Sequence, residues 1–259
     1  MLKAYFQTFK KYKGLIIHLA KNQISLRYRK SYLGMLWSLL NPLLTMIVLT
    51  MVFSTIFKNQ IENFPIYLMC GRLIYEYNSE STKTAMNSVI QNSSLIKKIY
   101  VPKYVFPLSS SIAALVNMLF SLIALVIVML FTHLQPRWTM LLFWLPMVYV
   151  FVFSTGLGLI LAAINVFFRD IKHLYGVLLT MWLYLTPIFY PFESVPPFVQ
   201  QIISLNPLYH YIKMFRGLII YGTLPTLREN LICAGMGIVV MIIGTLFFKK
   251  TQDRFILHI

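Results

Sequence analysis

Arg72, Glu76, Glu80, Lys83 and Asn87 recur at steps of four, four, three and four, which places two cations, two carboxylates and an amide on one face of a helix. Charges at this spacing can neutralise one another as ion pairs at a helix contact. The same stripe can instead form a polar wall beside a hydrophilic path. Glu76 and Glu80 are also the only carboxylates placed where acid–base chemistry could be asked of them. The rest of the chain offers no reacting group: there is no Ser/His/Asp set and no Cys/His cluster at metal-ligand spacing. The phosphate-cradling pattern G-x-x-x-x-G-K-[ST] is missing, and the 11 glycines are scattered. Cys70 and Cys233 sit within apolar stretches and read as small fillers. The chain is thus not expected to be an enzyme, and no cofactor or metal is expected in it.

The stripe sits in an unusual setting. Between Lys30 and Lys58 lie 27 residues without formal charge, between Lys103 and Arg137 lie 33, and between Arg137 and Arg169 lie 31. Lys172 to Glu193 leaves 20 and Glu229 to Lys249 leaves 19. A bilayer core needs about 20 apolar residues as helix, so five stretches read as spans. Strict alternation is absent, which excludes a barrel and leaves helices. The segment from Pro65 to about Ile90, carrying the stripe, makes a sixth. Ionisable residues within a span face protein or a water-filled cavity, because lipid exposure is expensive. The predicted spans are 33–57, 65–90, 107–131, 139–166, 174–190 and 228–248, in one all-α polytopic domain covering 1–259.

Charge in the connections sets the expected topology. With the N-terminus inside, segments 1–32, 90–105, 168–173 and 249–259 hold 16 of the 23 Lys and Arg, against five outside. Both termini are expected in the cytoplasm. The net charge of +16 is accounted for by this bias and by contacts with anionic lipid, so a nucleic-acid partner is not expected. The basic head is followed by too short an apolar run for a signal peptide.

Three connections are more than loops. In 1–32, Tyr5, Phe6, Phe9, Tyr12, Ile16 and Leu19 recur at helical spacing with lysines between them, predicting an amphipathic helix in the plane of the membrane surface. In 91–105, Ser93 or Ser94 can cap a short helix ended by Pro102. Its Leu95, Ile96, Ile99 and Tyr100 form an apolar ridge, with Lys97 and Lys98 on the other face. Such a helix can dock in a partner's groove or rest on the bilayer. In 191–222, prolines cut the chain into pieces near 197–204, with Ser194 as cap, and 208–220. Each is too short to cross, so a re-entrant or interfacial pair is predicted. His210 there reads as an interfacial residue.

YRKSYLGMLWSLLNPLL (28–44), SLIKKIYVPKYVFPLS (94–109), FFRDIKHL (167–174), LTPIFYP (185–191) and LNPLYHYIKMFRGLI (205–219) together resemble the membrane subunits of type-2 ABC exporters. Among these they are similar to the permeases for O-antigen, teichoic acid and related bacterial cell-surface polysaccharides. The charged second span departs from that pattern. The resemblance implies that 94–109 holds a coupling helix seated on an ATP-binding subunit, with Leu95, Ile96, Lys97, Lys98, Ile99 and Tyr100 at the contact. It implies a homodimer with two such subunits, which bind the ATP and Mg, and an outer gate made by 191–222. Trp37, Asn41, Trp182, Tyr184 and Tyr190 then become channel or gate candidates beside Arg72, Glu76, Glu80 and Lys83, although interfacial Trp and Tyr are common in any span. The expected function is export of a lipid-linked polysaccharide across a bacterial inner membrane. Export of a small lipid or drug, and membrane-embedded glycan transfer, are the alternatives.

Overall fold

A computed structural model describes residues 2–29, 32–57, 61, 63–98 and 101–258, with the side chains of 2–10 and 55–57 outside the description. Tyr5, Phe6, Phe9, Lys30, Lys58, Ile99 and Tyr100 therefore fall outside the described side chains. The described residues form ten α-helices and no strand. They run α1 (Leu2–Tyr28), α2 (Trp37–Phe57), α3 (Phe64–Gln91), α4 (Ser93–Lys98), α5 (Val105–Phe131), α6 (Trp144–Phe167), α7 (Ile171–Leu185), α8 (Pro197–Ser204), α9 (Pro207–Arg216) and α10 (Leu227–Thr251). Among the described residues, four segments are long and apolar enough to cross a membrane: Gly34–Ser54, Val105–Phe131, Trp138–Phe167 and Leu227–Leu257.

The long helix with the largest buried share, α3, carries four charged side chains. α3 packs between α5 and α6, and α10 lies on the far side of α6. Away from its charged stripe, α3 is held by hydroxyls and amides. Ser154 Oγ of α6 donates to Asn78 Oδ1 (2.9 Å), Ser81 Oγ to Ser111 Oγ of α5 (3.0 Å), and the Tyr175 hydroxyl of α7 to Thr82 Oγ1 (2.7 Å). Asn165 Nδ2 of α6 adds a bond to the Met86 carbonyl (2.9 Å). Lipid is as apolar as leucine, so helices in it are joined by close packing and by such bonds, at roughly 0.6 kcal/mol each. Close packing joins α6 to α10. A Cβ on Gly156 would lie 2.5 Å from Met241 Cα, and one on Gly244 would overlap the Gly156 carbonyl. The two backbones touch there because neither residue has a side chain.

Several predicted boundaries move. The span foreseen at 174–190 is a helix only to Leu185, because Thr186 precedes Pro187 and is extended (φ −99°, ψ 130°). The segment foreseen at 139–166 opens with a 3-10 turn, Trp138–Leu142, before α6 begins. Ser194 does not cap α8: its hydroxyl donates to the Pro191 carbonyl (2.7 Å), and Pro196 occupies the cap position. The second piece is α9 followed by a π-turn, Gly217–Tyr221, closed by Gly222 at φ +67°. There an L side chain would be strained, and a Cβ would also meet Arg137 at 2.7 Å. Nor is α1 a free anchor. It packs along α5, buries Ile16 and Ala20, and donates from Gln23 Nε2 to Ser110 Oγ (3.0 Å).

Candidate translocation groove

Glu76, Glu80 and Lys83 of α3 border an open groove, while Arg72 and Asn87 of the same stripe are not in its lining. Two adjoining hollows of about 720 and 430 Å3 share Arg27, Asn41, Glu76, Glu80 and Asn117. Gln23, Lys83, Ser110, Trp37, Ser38 and Ser121 extend the lining, so α1, α2, α3 and α5 each contribute a wall. Helices 27, 21, 28 and 27 residues long thus open onto a surface that mixes amides, hydroxyls and charges with apolar side chains such as Ile24, Leu26, Ala113 and Ala114. That chemistry suits a polyhydroxyl solute, which needs both donors and acceptors.

The stripe is paired, though not as its spacing alone suggests. Arg72 and Glu76 form the i,i+4 ion pair, through Nη2 and through Nε at 2.8 Å. Glu80 turns away from Lys83 to Arg27 of α1, and accepts a second bond from Asn117 Nδ2 of α5 (2.7 Å). The Tyr28 hydroxyl reaches Asn117 Oδ1 at 3.5 Å. Side-chain exposures of 50% for Arg27 and 27% for Glu80 mark this as a pair at the groove's surface, worth ~1 kcal/mol or less. Lys83 lines the groove and is exposed. Asn87 donates to the Lys83 carbonyl (2.9 Å).

The aromatic candidates divide. Trp37 and Asn41 line the groove, and Asn41 accepts from Thr45 Oγ1 through its carbonyl at 2.8 Å. Trp182 is packed elsewhere: Nε1 donates to Asn206 Oδ1 (2.7 Å), and its ring meets Phe153 edge-on at 6.1 Å. Asn206 is a hub, capping α9 through the Leu208 N–H (3.0 Å) while donating to Thr186 Oγ1 (2.8 Å). Tyr190 donates to the Tyr184 carbonyl (2.7 Å), and its own carbonyl accepts from the Tyr67 hydroxyl (3.0 Å). Tyr184 is 63% exposed. Trp182, Tyr184 and Tyr190 are absent from the groove's lining.

At the other end of α3, α4 turns Ile96 of the expected contact set inward and Lys97 and Lys98 outward, with Ile99 and Tyr100 outside the described residues. Ile96 is 7% exposed and joins Val89, Phe106, Leu159, Val166, Phe248 and Phe255 in the chain's own core, with Leu95 packed beside them. Ser94, Lys97 and Lys98 point outward. The chain's last turn supports this cluster: Lys103 Nζ donates to the Gln252 carbonyl (2.5 Å) and lies 5.7 Å from the Phe255 ring centroid. Burial pushes the Lys103 ammonium below its ordinary value, against the pull of Asp253.

Sequence reasoning missed Arg216, which makes four hydrogen bonds within and beside the 187–222 segment. Arg216 is 5% exposed and donates through Nη1 to the Pro187 carbonyl (2.7 Å) and through Nη2 to those of Ile188 and Tyr67 (both 3.1 Å). Nε adds a 3.2 Å bond to Tyr67, whose ring lies 3.3 Å below the guanidinium carbon. Gly71 leaves room for it, since a Cβ there would lie 2.8 Å from Nη2. The one signal in the sequence was an Arg followed directly by an apolar run. Among the described residues no three His, Cys, Asp or Glu side chains gather as a metal site.

An all-helical chain with, among its described residues, four apolar helices of membrane length and an open groove between its helices has the make-up of a polytopic membrane protein. Residues 14–220 match the family described as ABC-2 type transporter, and the chain belongs to that family. It is 29% identical over 246 residues to the O-antigen export system permease protein RfbA of Myxococcus xanthus, covering 94% of this chain and 95% of that protein. It is also 29% identical over 243 residues to the RfbA of Klebsiella pneumoniae, covering 93% of each. The polysialic acid transport protein KpsM of Escherichia coli is more distant, 23% identical over 238 residues, covering 89% of this chain and 91% of that protein.

Proposed function

We propose that this chain is the permease subunit of an ATP-driven exporter that carries a lipid-linked cell-surface polysaccharide across a bacterial inner membrane. The observation that carries the reading is the groove: an open surface bearing charges of both signs, amides and hydroxyls beside apolar side chains such as Ile24, Leu26 and Ala113, in a chain whose relatives carry polysaccharide-export names. Glycan transfer is disfavoured because Glu76 is ion-paired with Arg72 and Glu80 with Arg27.

In this reading α2, α3, α5, α6, α7 and α10 are six spans, with both termini cytoplasmic. α7 is about 22 Å long, shorter than the hydrocarbon core, and completes its crossing through 186–190. Two copies face each other across their grooves, with Trp37, Asn41, Glu76, Glu80 and Lys83 on the path. An ABC ATP-binding subunit under each copy meets α4 through Ser94, Lys97 and Lys98, and hydrolyses the ATP. α8 and α9 act as the outer gate, with Trp182, Tyr184 and Tyr190 at its hinge. O-antigen or teichoic acid are the cargo classes in view.

The test is a strain deleted for the chain, probed for surface polysaccharide. Loss of polymer from the surface with accumulation of lipid-linked glycan inside, restored by the wild-type chain, is expected. Normal surface glycan with a changed small-lipid or drug profile would refute the reading.

A further inference from the structure

The outer segment encloses a third hollow, separate from the groove, of about 310 Å3. It lies at the end of α3 remote from α4, between the 187–193 break, α9, the 221–225 turn and the start of α10. Its volume falls at the lower end of the range for small-molecule sites, about 300–1,000 Å3. Phe192 and Tyr209 stack in its wall, centroids 4.9 Å apart and planes 20° from parallel. Around this stacked aromatic pair stand charges of both signs. Lys213 pairs with Glu229 at 3.2 Å, joining α9 to α10, and Arg216 forms part of the lining. Glu193 lines the mouth, is exposed, and among the described residues forms no ion pair. Tyr67 and Tyr221 also line it.

The geometry points to a subsite for one uncharged sugar ring, deepening the export reading on which it rests. Its place in the outer segment would hold the glycan as it leaves. The ligand class follows from the wall. An anion would meet Glu193 and Glu229, and a cation would meet Lys213 and Arg216. A pyranose has an apolar face to lie on an aromatic side chain and hydroxyls that both donate to carboxylates and accept from ammonium. Because Lys213–Glu229 ties α9 to α10, occupancy would also brace α9 against α10.

The full-length chain in lipid nanodiscs free of sugar detergents, probed by saturation-transfer NMR, provides the test. The probes are the methyl pyranosides of glucose, galactose and mannose, with methyl glucuronide as the anionic comparison. Saturation of the ring protons of at least one neutral glycoside is expected. Phe192→Leu combined with Glu193→Gln should weaken its binding about tenfold, equivalent to 1.4 kcal/mol. Ile242→Val, on the exposed side of α10, should leave it unchanged. If the double variant fails to fold, Glu193→Gln alone, at an exposed position, should still weaken binding measurably. No transfer to any neutral glycoside up to tens of millimolar, transfer to methyl glucuronide alone, or transfer indifferent to the Glu193 variants would each overturn the assignment. A deletion strain that loses surface polysaccharide while the nanodisc chain binds no sugar sinks the subsite and leaves export standing. Pocket binding with unaltered surface polysaccharide does the reverse.

Discussion

Replacing Arg216 by Met keeps most of the side chain's bulk while removing every donor. Four short N–H contacts to the carbonyls of Tyr67, Pro187 and Ile188 vanish together. The Tyr67 carbonyl keeps its helical partner in α3, but those of Pro187 and Ile188 lie beyond the end of α7 and lose their donor. An orphaned buried carbonyl costs about 1–3 kcal/mol, so the two together put the loss at about 2–6 kcal/mol. Removing a cation that forms no ion pair among the described residues returns part of this, because its desolvation no longer opposes folding. The net expectation is destabilisation by about 2–4 kcal/mol, and an apparent melting temperature lowered by roughly 5–10 °C for a chain of this size. Arg216→Lys keeps the charge but not the planar fork, so it should fall between the two. Monodispersity after stepwise heating, followed by size-exclusion chromatography, measures all three. A Met variant as stable as wild type, with Lys the least stable, would show that the charge was a burden and that the carbonyls find other partners.

Gly244→Leu should abolish folded yield by driving α10 off the Gly156 backbone, whereas Gly235→Ala, with open space around its Cβ position, should be neutral; chromatographic yield decides. A double-mutant cycle on Arg27 and Glu80 should give a coupling of about 0.5–1 kcal/mol, and the Glu80–Lys83 cycle should be additive; the reverse result would mean that the stripe pairs within α3 alone. Ile96→Asp should destabilise the chain by about 3 kcal/mol or more even without an ATP-binding partner, since it buries a carboxylate in an apolar cluster. Lys97→Glu with Lys98→Glu should leave the isolated chain's stability unchanged and weaken co-purification of that partner.

The long apolar helices were legible because a run of about 20 uncharged, mostly apolar residues is costly to keep anywhere but in a bilayer, and α5, α6 and α10 lie close to the predicted limits. The stripe's common face was legible for the same kind of reason, since 3.6-residue periodicity needs only the sequence. Its partners were not. Arg27 and Asn117 lie 53 and 37 residues from Glu80, and no local rule joins them. The orientation of α4 went the other way for a related reason. Periodicity shows that Ile96 shares a face with other apolar residues but not whether that face belongs to the chain's own core. Thr186-Pro187 did announce the end of α7, yet Arg216 as the group receiving its freed carbonyls required the fold.

The two-faced polarity of α3 has a consequence for how the chain is made. A central Arg, Lys or Asp raises the apparent cost of inserting a helix by about 2.5–3.5 kcal/mol. α3 carries Arg72, Glu76, Glu80 and Lys83 besides its buried Asn78, Ser81 and Thr82. Left alone with the translocon, it has a weak claim on the lipid. The groups that offset its polarity come from both directions along the chain. Arg27 has already emerged, but Ser111 and Asn117 of α5 and Ser154 of α6 have not. At synthesis rates of about 5–20 residues per second, α3 waits several seconds after Gln91 before the end of α6 appears. On the six-span reading, it lingers at the channel or among chaperones during that interval. The helix that carries the groove is therefore also the one on which co-translational quality control would act first.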